Sequence, residues 1–285
     1  MIDPRSDDFA FLDLAALAPG LERRDPGLWF ARRQAAISYP ARGNAAYLSI
    51  EDKSFWFRHR NNCIIDLVQR FSPNGVFFDI GGGNGYVSKG LTEAGVKCAL
   101  IEPGIEGALA AHRRGIDPVI CSRLEDLDLP PDSMAAAGMF DVLEHLEDER
   151  AALRQVYTLL RSGGRLFLTV PAYRFLFSAD DKAAGHFRRY TISSVTRALL
   201  GSGFQVAFAS YIFAPLPPLV FVLRTVPTWA GLRRGTGPDR DAAEHAPGGM
   251  TARVMDHLLA MELTWLRAGR RVPIGGSCLC VGVKP

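Results

Sequence analysis

Two carboxylates flanking a run of glycines, and two histidines further along, are the side chains of this sequence best suited to chemistry. Asp79 lies in the apolar run V-F-F-D-I, and Gly81, Gly82, Gly83 and Gly85 follow it. Glycines allow a tight turn with positive φ and let a ligand come close to the backbone. A carboxylate beside such a turn repels a pyrophosphate and attracts a cationic or amine-bearing group. The dinucleotide fingerprint G-x-G-x-x-G, counted from Gly81 and Gly83, needs a third glycine where this sequence has Tyr86, so the turn departs from it. Glu102 ends the apolar run K-C-A-L-I, a position and residue type that suit hydrogen bonds to two ribose hydroxyls. His145, in D-V-L-E-H, and His186, in G-H-F-R-R-Y-T, are of a type that titrates near neutrality, which makes them candidates for a general base. Around His186 stand Arg188, Arg189 and Tyr190, and Tyr173 precedes them, a set able to orient a polar or anionic acceptor. Glu144 and His145 alone are too few for a divalent ion, and no metal is expected.

Strands alternating with helices would position these groups. Short apolar runs predict strands over 76–80, 97–101, 116–121, 134–140, 165–171, 204–213 and 277–283. Apolar residues at helical spacing predict helices from 51 to a stop at Pro73, over 105–114, 148–160 and 195–200, and an amphipathic segment over 251–268. Phe55, Trp56 and Phe57 read as core aromatics, and Arg58 and Arg60 as solvated cations, one of which is free to turn toward a ligand carboxylate. Residues 1–50 hold two weakly amphipathic pieces, 9–17 and 28–37, and read as an N-terminal extension or cap. Residues 51–285 form the main domain, with an apolar and helical insertion at about 214–276. Prolines and Arg224 interrupt 214–232 well short of the roughly twenty apolar residues of a membrane span. That segment suits packing on its own domain, on a second copy in a homodimer, or on a membrane surface with Arg224, Arg233 and Arg234 at headgroup level. Residues 233–249 read as a loop.

A net charge of +3, with scattered arginines, gives no reason to expect a nucleic-acid partner. Five cysteines behind a polar, acidic start predict reduced thiols in a cytoplasmic protein, with peripheral membrane association through 214–232 compatible with this. Cys278 and Cys280 share one strand face and read as core.

The V-F-F-D-I-G-G-G-N-G stretch resembles the motif of class I S-adenosylmethionine-dependent methyltransferases in which an acid precedes G-x-G-x-G. D-V-L-E-H and L-L-R-S-G-G-R-L-F-L-T-V-P resemble the fourth and fifth strands of that class. G-H-F-R-R-Y-T and the S-F-W-F-R-H-R-N entry resemble an uncharacterised bacterial branch with a G-H-x-R-R-Y-T segment, and the likeness runs from Glu51 to Pro285. The resemblance implies an α/β, doubly wound seven-stranded sheet, six strands parallel and the last antiparallel, in a Rossmann-like methyltransferase fold. It implies S-adenosylmethionine as donor and S-adenosylhomocysteine as product. Asp79 and the turn Gly81, Gly82, Gly83 and Gly85 would meet the methionine end, and Glu102 with Pro103 the ribose. The Leu124 amide would meet the adenine, with Glu125 or Asp126 in place of the acid that the class usually carries where this sequence has Arg123. The Phe140 carbonyl would meet the amine, with Asp141 beside it. The acceptor would be a small molecule or a lipid-linked one. Two other readings are a nicotinamide-dependent oxidoreductase on a related fold, which Tyr86 disfavours, and a non-catalytic S-adenosylmethionine-binding protein, which Arg123 suggests.

Overall fold

Short apolar runs bounded by glycines and polar turns become the strands at the centre of the protein. The structure is a computed structural model describing residues 12–31, 51–52, 54–71, 74–231 and 249–285. Strands β1 (Leu21–Arg24), β2 (Leu28–Ala31), β3 (Phe77–Ile80), β4 (Cys98–Ile101), β5 (Val119–Cys121), β6 (Met134–Phe140), β7 (Leu160–Pro171), β8 (Gln205–Ile212) and β9 (Ser277–Val283) form one sheet. Their order is β1-β2-β5-β4-β3-β6-β7-β9-β8. Every residue of β3, β4 and β5 is buried, as befits parallel strands covered on both faces. β9 inserts between β7 and β8, antiparallel to both.

The expected seven-stranded sheet is therefore corrected to nine strands among the described residues. β3 to β9 carry the expected directions, and the two additions are the β1–β2 hairpin. Trp29 and Phe30 of β2 pair in parallel with Ile120 and Cys121 of β5, covering what would otherwise be an open edge. Four residues are too few to tell strand from helix by periodicity, which is why 28–37 read as an amphipathic piece outside the sheet. Residues 9–11 and 32–37 of those pieces, Pro73, the 233–248 loop and its Arg233 and Arg234 lie outside the described residues.

With α1 (Leu14–Leu17), α4 (Ile105–Arg113) and α6 (Ala179–Ala183) completing the first seven helices of the described residues, alternation along the strands sends core residues to both faces of the sheet. Phe78, Ala99, Leu166 and Leu168 face a cluster shared with α5 (Glu149–Leu159) and α7 (Ile192–Leu200). Phe77, Cys98 and Phe167 face the other, shared with α2 (Phe55–Phe71) and α3 (Tyr86–Glu93). Cys278 and Cys280 are both buried on the first face, and all five cysteines are free and buried.

The chain leaves the sheet after Ile212 and returns at Ser277, and these two residues pair with each other. Gly275 lies against that exit, where a Cβ would come within 2.1 Å of the Ile212 carbonyl oxygen, so no side chain fits. The excursion begins with helical turns at Leu216–Val220 and Val226–Trp229. Leu219, Val222, Leu223, Val226 and Trp229 there are exposed. Its long helix, Gly249–Arg267, packs on α2, burying Leu259, Leu263 and Leu266. Glu262 secures the contact: it accepts bonds from the amides of Phe213 and Ala214, each at 2.6 Å, and meets His59 Nε2 at 2.8 Å. Among the described residues no helix is long and apolar enough to cross a membrane.

Candidate functional site

Adjacent strands β4, β3 and β6 deliver Glu102, Asp79 and Asp141 to the carboxyl edge of the sheet, where open α/β sheets bind their ligands. Gly81, Gly83 and Gly85 all have positive φ, at 70°, 54° and 76°. A Cβ on Gly81 would stand 2.7 Å from the Val142 side chain, and one on Gly82 would stand 2.7 Å from Leu100, so the turn is set both by conformation and by space. Glu102 shapes the turn from below: its Oε2 accepts from the Gly83 amide at 2.9 Å and its Oε1 from Gly104 at 2.7 Å. Pro103 lies between the residues so joined.

Asp79 is buried and accepts a 2.7 Å bond from the Ser88 hydroxyl. Burial pushes its carboxyl up to about 6, against the pull of Ser88 and Arg60. Glu51 is raised as well, by burial, although Arg114 pairs with it at 2.7 Å. Arg60 is the cation that serves this group of acids. It forms an ion pair with Asp141, lies over the Trp56 ring at 4.6 Å, and lowers the carboxyls of Asp79, Glu51 and Glu144. Its buried Nε has no hydrogen-bond partner. The expectation of two solvated arginines is thus corrected for Arg60, which is buried, whereas Arg58 is half exposed and pairs with Asp256. The signal was present in the sequence: Arg60 is three residues after Phe57 and four before Ile64, on the buried stripe of α2, and Arg58 is not.

Leu124 opens a single helical turn, Leu124–Asp126, after β5. Arg123 bonds Asp126 through Nε at 2.8 Å and meets Glu125 at 3.1 Å, so the charges of both acids are engaged and Glu125 is exposed. Phe140 is buried and stacked on Phe77, with its carbonyl at the strand end next to Asp141, whose φ is 57°.

A second group forms where residues 143–145 meet the loop before α7. Glu144, His145 and His186 each place a ligand atom within 4.8 Å of the others, and the two imidazole rings meet edge to face at 4.6 Å. The Phe187 amide bonds the Glu144 carbonyl at 2.9 Å, fixing one segment on the other. Glu144 is completely buried, and neither of its carboxylate oxygens has a hydrogen-bond partner beyond the pull of its own backbone N–H. Burial, then Asp141, pushes its carboxyl well above the usual range. Burial, then His186, takes His145 down to about 4. Asp181 orients His186, meeting its Nδ1 at 2.9 Å, and Asp181 also takes a two-pronged contact from Arg189 at 2.7 and 3.1 Å. Burial would raise the Asp181 carboxyl, but these partners outweigh it and hold it well below the usual range. Asp181 belongs to the polar run around His186, but its pairing with His186 and Arg189 was not expected, nor was the closeness of His186 to Glu144, two residues that no spacing rule joins.

The proposed acceptor residues divide. A cavity of about 660 Å³ beside this loop is lined by Arg174, Lys182, Phe187, Arg188, Arg189 and Trp229, among others. Arg188 is tied to Glu149 at 3.1 Å; among the described residues Arg174 and Lys182 have no ion-pair partner. Tyr173 and Tyr190 do not line it. Tyr173 stacks on Tyr211 at 5.1 Å, and its hydroxyl is pushed up to about 12 by burial and by Tyr211. Tyr190 is buried, with its hydroxyl donating to Glu149.

Comparison with known proteins gives the family and the fold. A family model described as a methyltransferase domain matches residues 56–207. A Mycolicibacterium smegmatis protein named as a probable S-adenosylmethionine-dependent methyltransferase is 28% identical over 173 residues, 59% of this chain and 66% of that one. The chain spans just under two thirds of the length of the curated relatives first matched. Among solved structures, a Haemonchus contortus phosphoethanolamine N-methyltransferase 2 bound to S-adenosyl-L-methionine superposes with a TM-score of 0.55 at 15% identity. It covers 90% of this chain and 62% of its own. A Thermotoga maritima S-adenosylmethionine-dependent methyltransferase, described as a possible histamine N-methyltransferase, gives 0.52 at 16% identity over 85% of this chain and 94% of its own. At these identities the two structures establish a common fold.

Proposed function

Since the chain belongs to the methyltransferase-domain family, we propose that it moves the methyl group of S-adenosylmethionine to an amphiphilic acceptor, small or lipid-linked, that carries an anionic group. The observation that carries the donor half is the acid-rich glycine turn with a single buried arginine against it. S-adenosylmethionine brings an ammonium, a sulfonium and a carboxylate. Asp79 and Asp141 offer negative potential to the cations, with the Phe140 carbonyl beside them, and the planar fork of Arg60 suits the carboxylate. Each Glu102 oxygen accepts one amide of the turn, and a carboxylate oxygen has a second acceptor direction of the kind a ribose hydroxyl needs. Pro103 adjoins that carboxylate, and the Leu124 turn stands one strand further out, toward the adenine. A pyrophosphate at the glycine turn would meet Asp79 unfavourably, which argues against a nicotinamide cofactor; reduced nicotinamide dinucleotide is expected to give no fluorescence titration.

Transfer is an in-line displacement on an already activated carbon, so alignment and exclusion of water account for much of the rate, about 7–11 kcal/mol in well-oriented reactions. Glu144, His145 and His186 are the groups positioned to act on an acceptor proton. Support for the acceptor class comes from the cavity lined by Phe187, Arg188 and Arg189, the residues that follow His186 in the chain, although none of the three groups lines it. Its arginines and lysine suit an anionic head, and the exposed Leu219, Val222, Leu223, Val226 and Trp229 continue as a surface for an apolar tail. With a labelled methyl donor and separated cell extracts, label is expected in the amphiphilic anionic fraction; label confined to neutral water-soluble products would refute this acceptor class. Substituting Arg174 and Lys182 together by alanine is expected to raise KM for such an acceptor about tenfold, a loss of about 1.4 kcal/mol. Calorimetry should find the donor Kd of that variant unchanged.

Donor affinity should also depend on pH. Asp79 titrates near 6 in the free protein, and a cation beside it requires the ionised form, so binding releases a proton below that value. Affinity at pH 5 is then expected to be about tenfold weaker than at pH 7, with a plateau above. Asp79→Asn should bind weakly and without this slope. An equally steep slope in Asp79→Asn would assign the titration to another group.

A further inference from the structure

We propose that Glu144, His145 and His186 bind one divalent transition-metal ion that receives the acceptor's hydroxyl oxygen, making the reaction an O-methylation; the donor half of this inference rests on the reading above. Two imidazoles and one carboxylate converge here, a ligand set that suits zinc and its first-row neighbours and leaves coordination positions open for substrate. Around an ion with bonds of about 2.1 Å, adjacent ligand atoms stand about 3.0–3.4 Å apart. Ligand atoms already within 4.8 Å of one another reach that spacing by side-chain adjustment alone.

The independent observation is Glu144 itself. A fully buried carboxyl group with no hydrogen-bond partner beyond its own backbone N–H is costly, and such a group calls for a partner that the protein alone does not supply. His186 is prepared in the manner of metal-binding histidines: Asp181 engages Nδ1 and leaves Nε2 for the ion. A contrasting cluster sharpens the assignment. His59, Cys63 and Glu262 are equally close, but there the carboxylate is saturated by His59 and two backbone amides, so that group already has its partners.

An ion at Glu144 acidifies a bound hydroxyl. The proton leaves to solvent, the oxygen's electron pair forms the new O–C bond, and the pair of the breaking C–S bond remains on sulfur as a neutral thioether. The histidines then act as ligands, and no separate side-chain base is needed.

The test uses the full chain freed of metal, titrated with Zn²⁺ against a chromophoric chelator and with Co²⁺ by visible absorption, with donor binding measured on the same samples. One ion per chain is expected. Its affinity should fall at least about 100-fold in Glu144→Gln and His186→Ala and about 10- to 100-fold in Asp181→Asn, with donor Kd unchanged and Cys63→Ala still binding one ion. Added Zn²⁺ should raise the melting temperature of the wild type and leave that of Glu144→Gln unmoved. No ion in the wild type, binding undiminished in Glu144→Gln, loss of the ion in Cys63→Ala, or Zn²⁺ stabilising Glu144→Gln as much as the wild type would each overturn the proposal. Loss of donor binding in the wild type would instead refute the methyltransferase reading and leave the metal result standing.

Discussion

Replacing Arg60 by methionine is expected to destabilise the protein by about 3–5 kcal/mol, because it strips the buried cation from a group of carboxylates and leaves Asp141 without its ion pair. Methionine keeps much of the packing against Trp56 and Phe57, so the loss reports charge. The pH dependence follows from linkage. A carboxyl whose folded value lies above its unfolded value binds more protons in the folded state, so stability falls as pH rises from the ordinary carboxylate range through that folded value. In the wild type this window runs up to about 6 for Asp79. Arg60 lowers the carboxyls of Asp79, Glu51 and Glu144, so its removal lifts all three and extends the window upward. Denaturant titrations should therefore show the deficit of Arg60→Met shrinking from pH 7.5 toward pH 5. A deficit equal at both values would mean that packing, not charge, was lost. Adding Asp141→Asn should recover part of the stability, and a double-mutant cycle measures how much.

Glu102→Ala is the second large effect, and it falls on ligand binding. Glu102 holds the amides of Gly83 and Gly104, and their bonds to a buried carboxylate give the glycine turn its shape. Alanine leaves two amides without this partner, at about 1–3 kcal/mol each, and removes the proposed ribose contact. Calorimetry is expected to show donor affinity weakened at least about 100-fold, equivalent to about 2.7 kcal/mol. Glu102→Asp, too short to reach both amides, should lose about tenfold. Unchanged binding in Glu102→Ala would remove Glu102 from the donor site and with it the positional argument that put it there.

Much of the fold was legible because local rules and the tertiary answer coincide. The strands from β3 to β9 are apolar runs closed by glycines, prolines or polar turns, and their buried partners add no contrary signal. The β1–β2 hairpin escaped because Leu28–Ala31 is too short for a period, and its strand character comes from Ile120 and Cys121, nearly a hundred residues away. In the site, Asp79, Glu102 and the glycines stood out by type and spacing. Arg60 was misread through attention to its charge, although its place on the stripe of Phe57 and Ile64 pointed inward. The closeness of His186 to Glu144 and His145 was not legible because His186 is delivered by the loop before α7, a juxtaposition set by tertiary packing. Tyr190 illustrates the converse: its neighbours face the cavity, while its own hydroxyl is used within the core.

The excursion that leaves the sheet at Ile212 and returns at Ser277 has a consequence for how this protein could diversify. Both ends are clamped within one antiparallel pair, and Glu262 and Gly275 secure the junction. The free energy of closing such a loop rises only as the logarithm of its length, about 0.6 kcal/mol per doubling. Lengthening, shortening or replacing the segment that carries Trp229 should thus disturb the donor half of the molecule little. Chains in which this apolar wall is exchanged are therefore expected to keep their donor affinity while their acceptor preference changes.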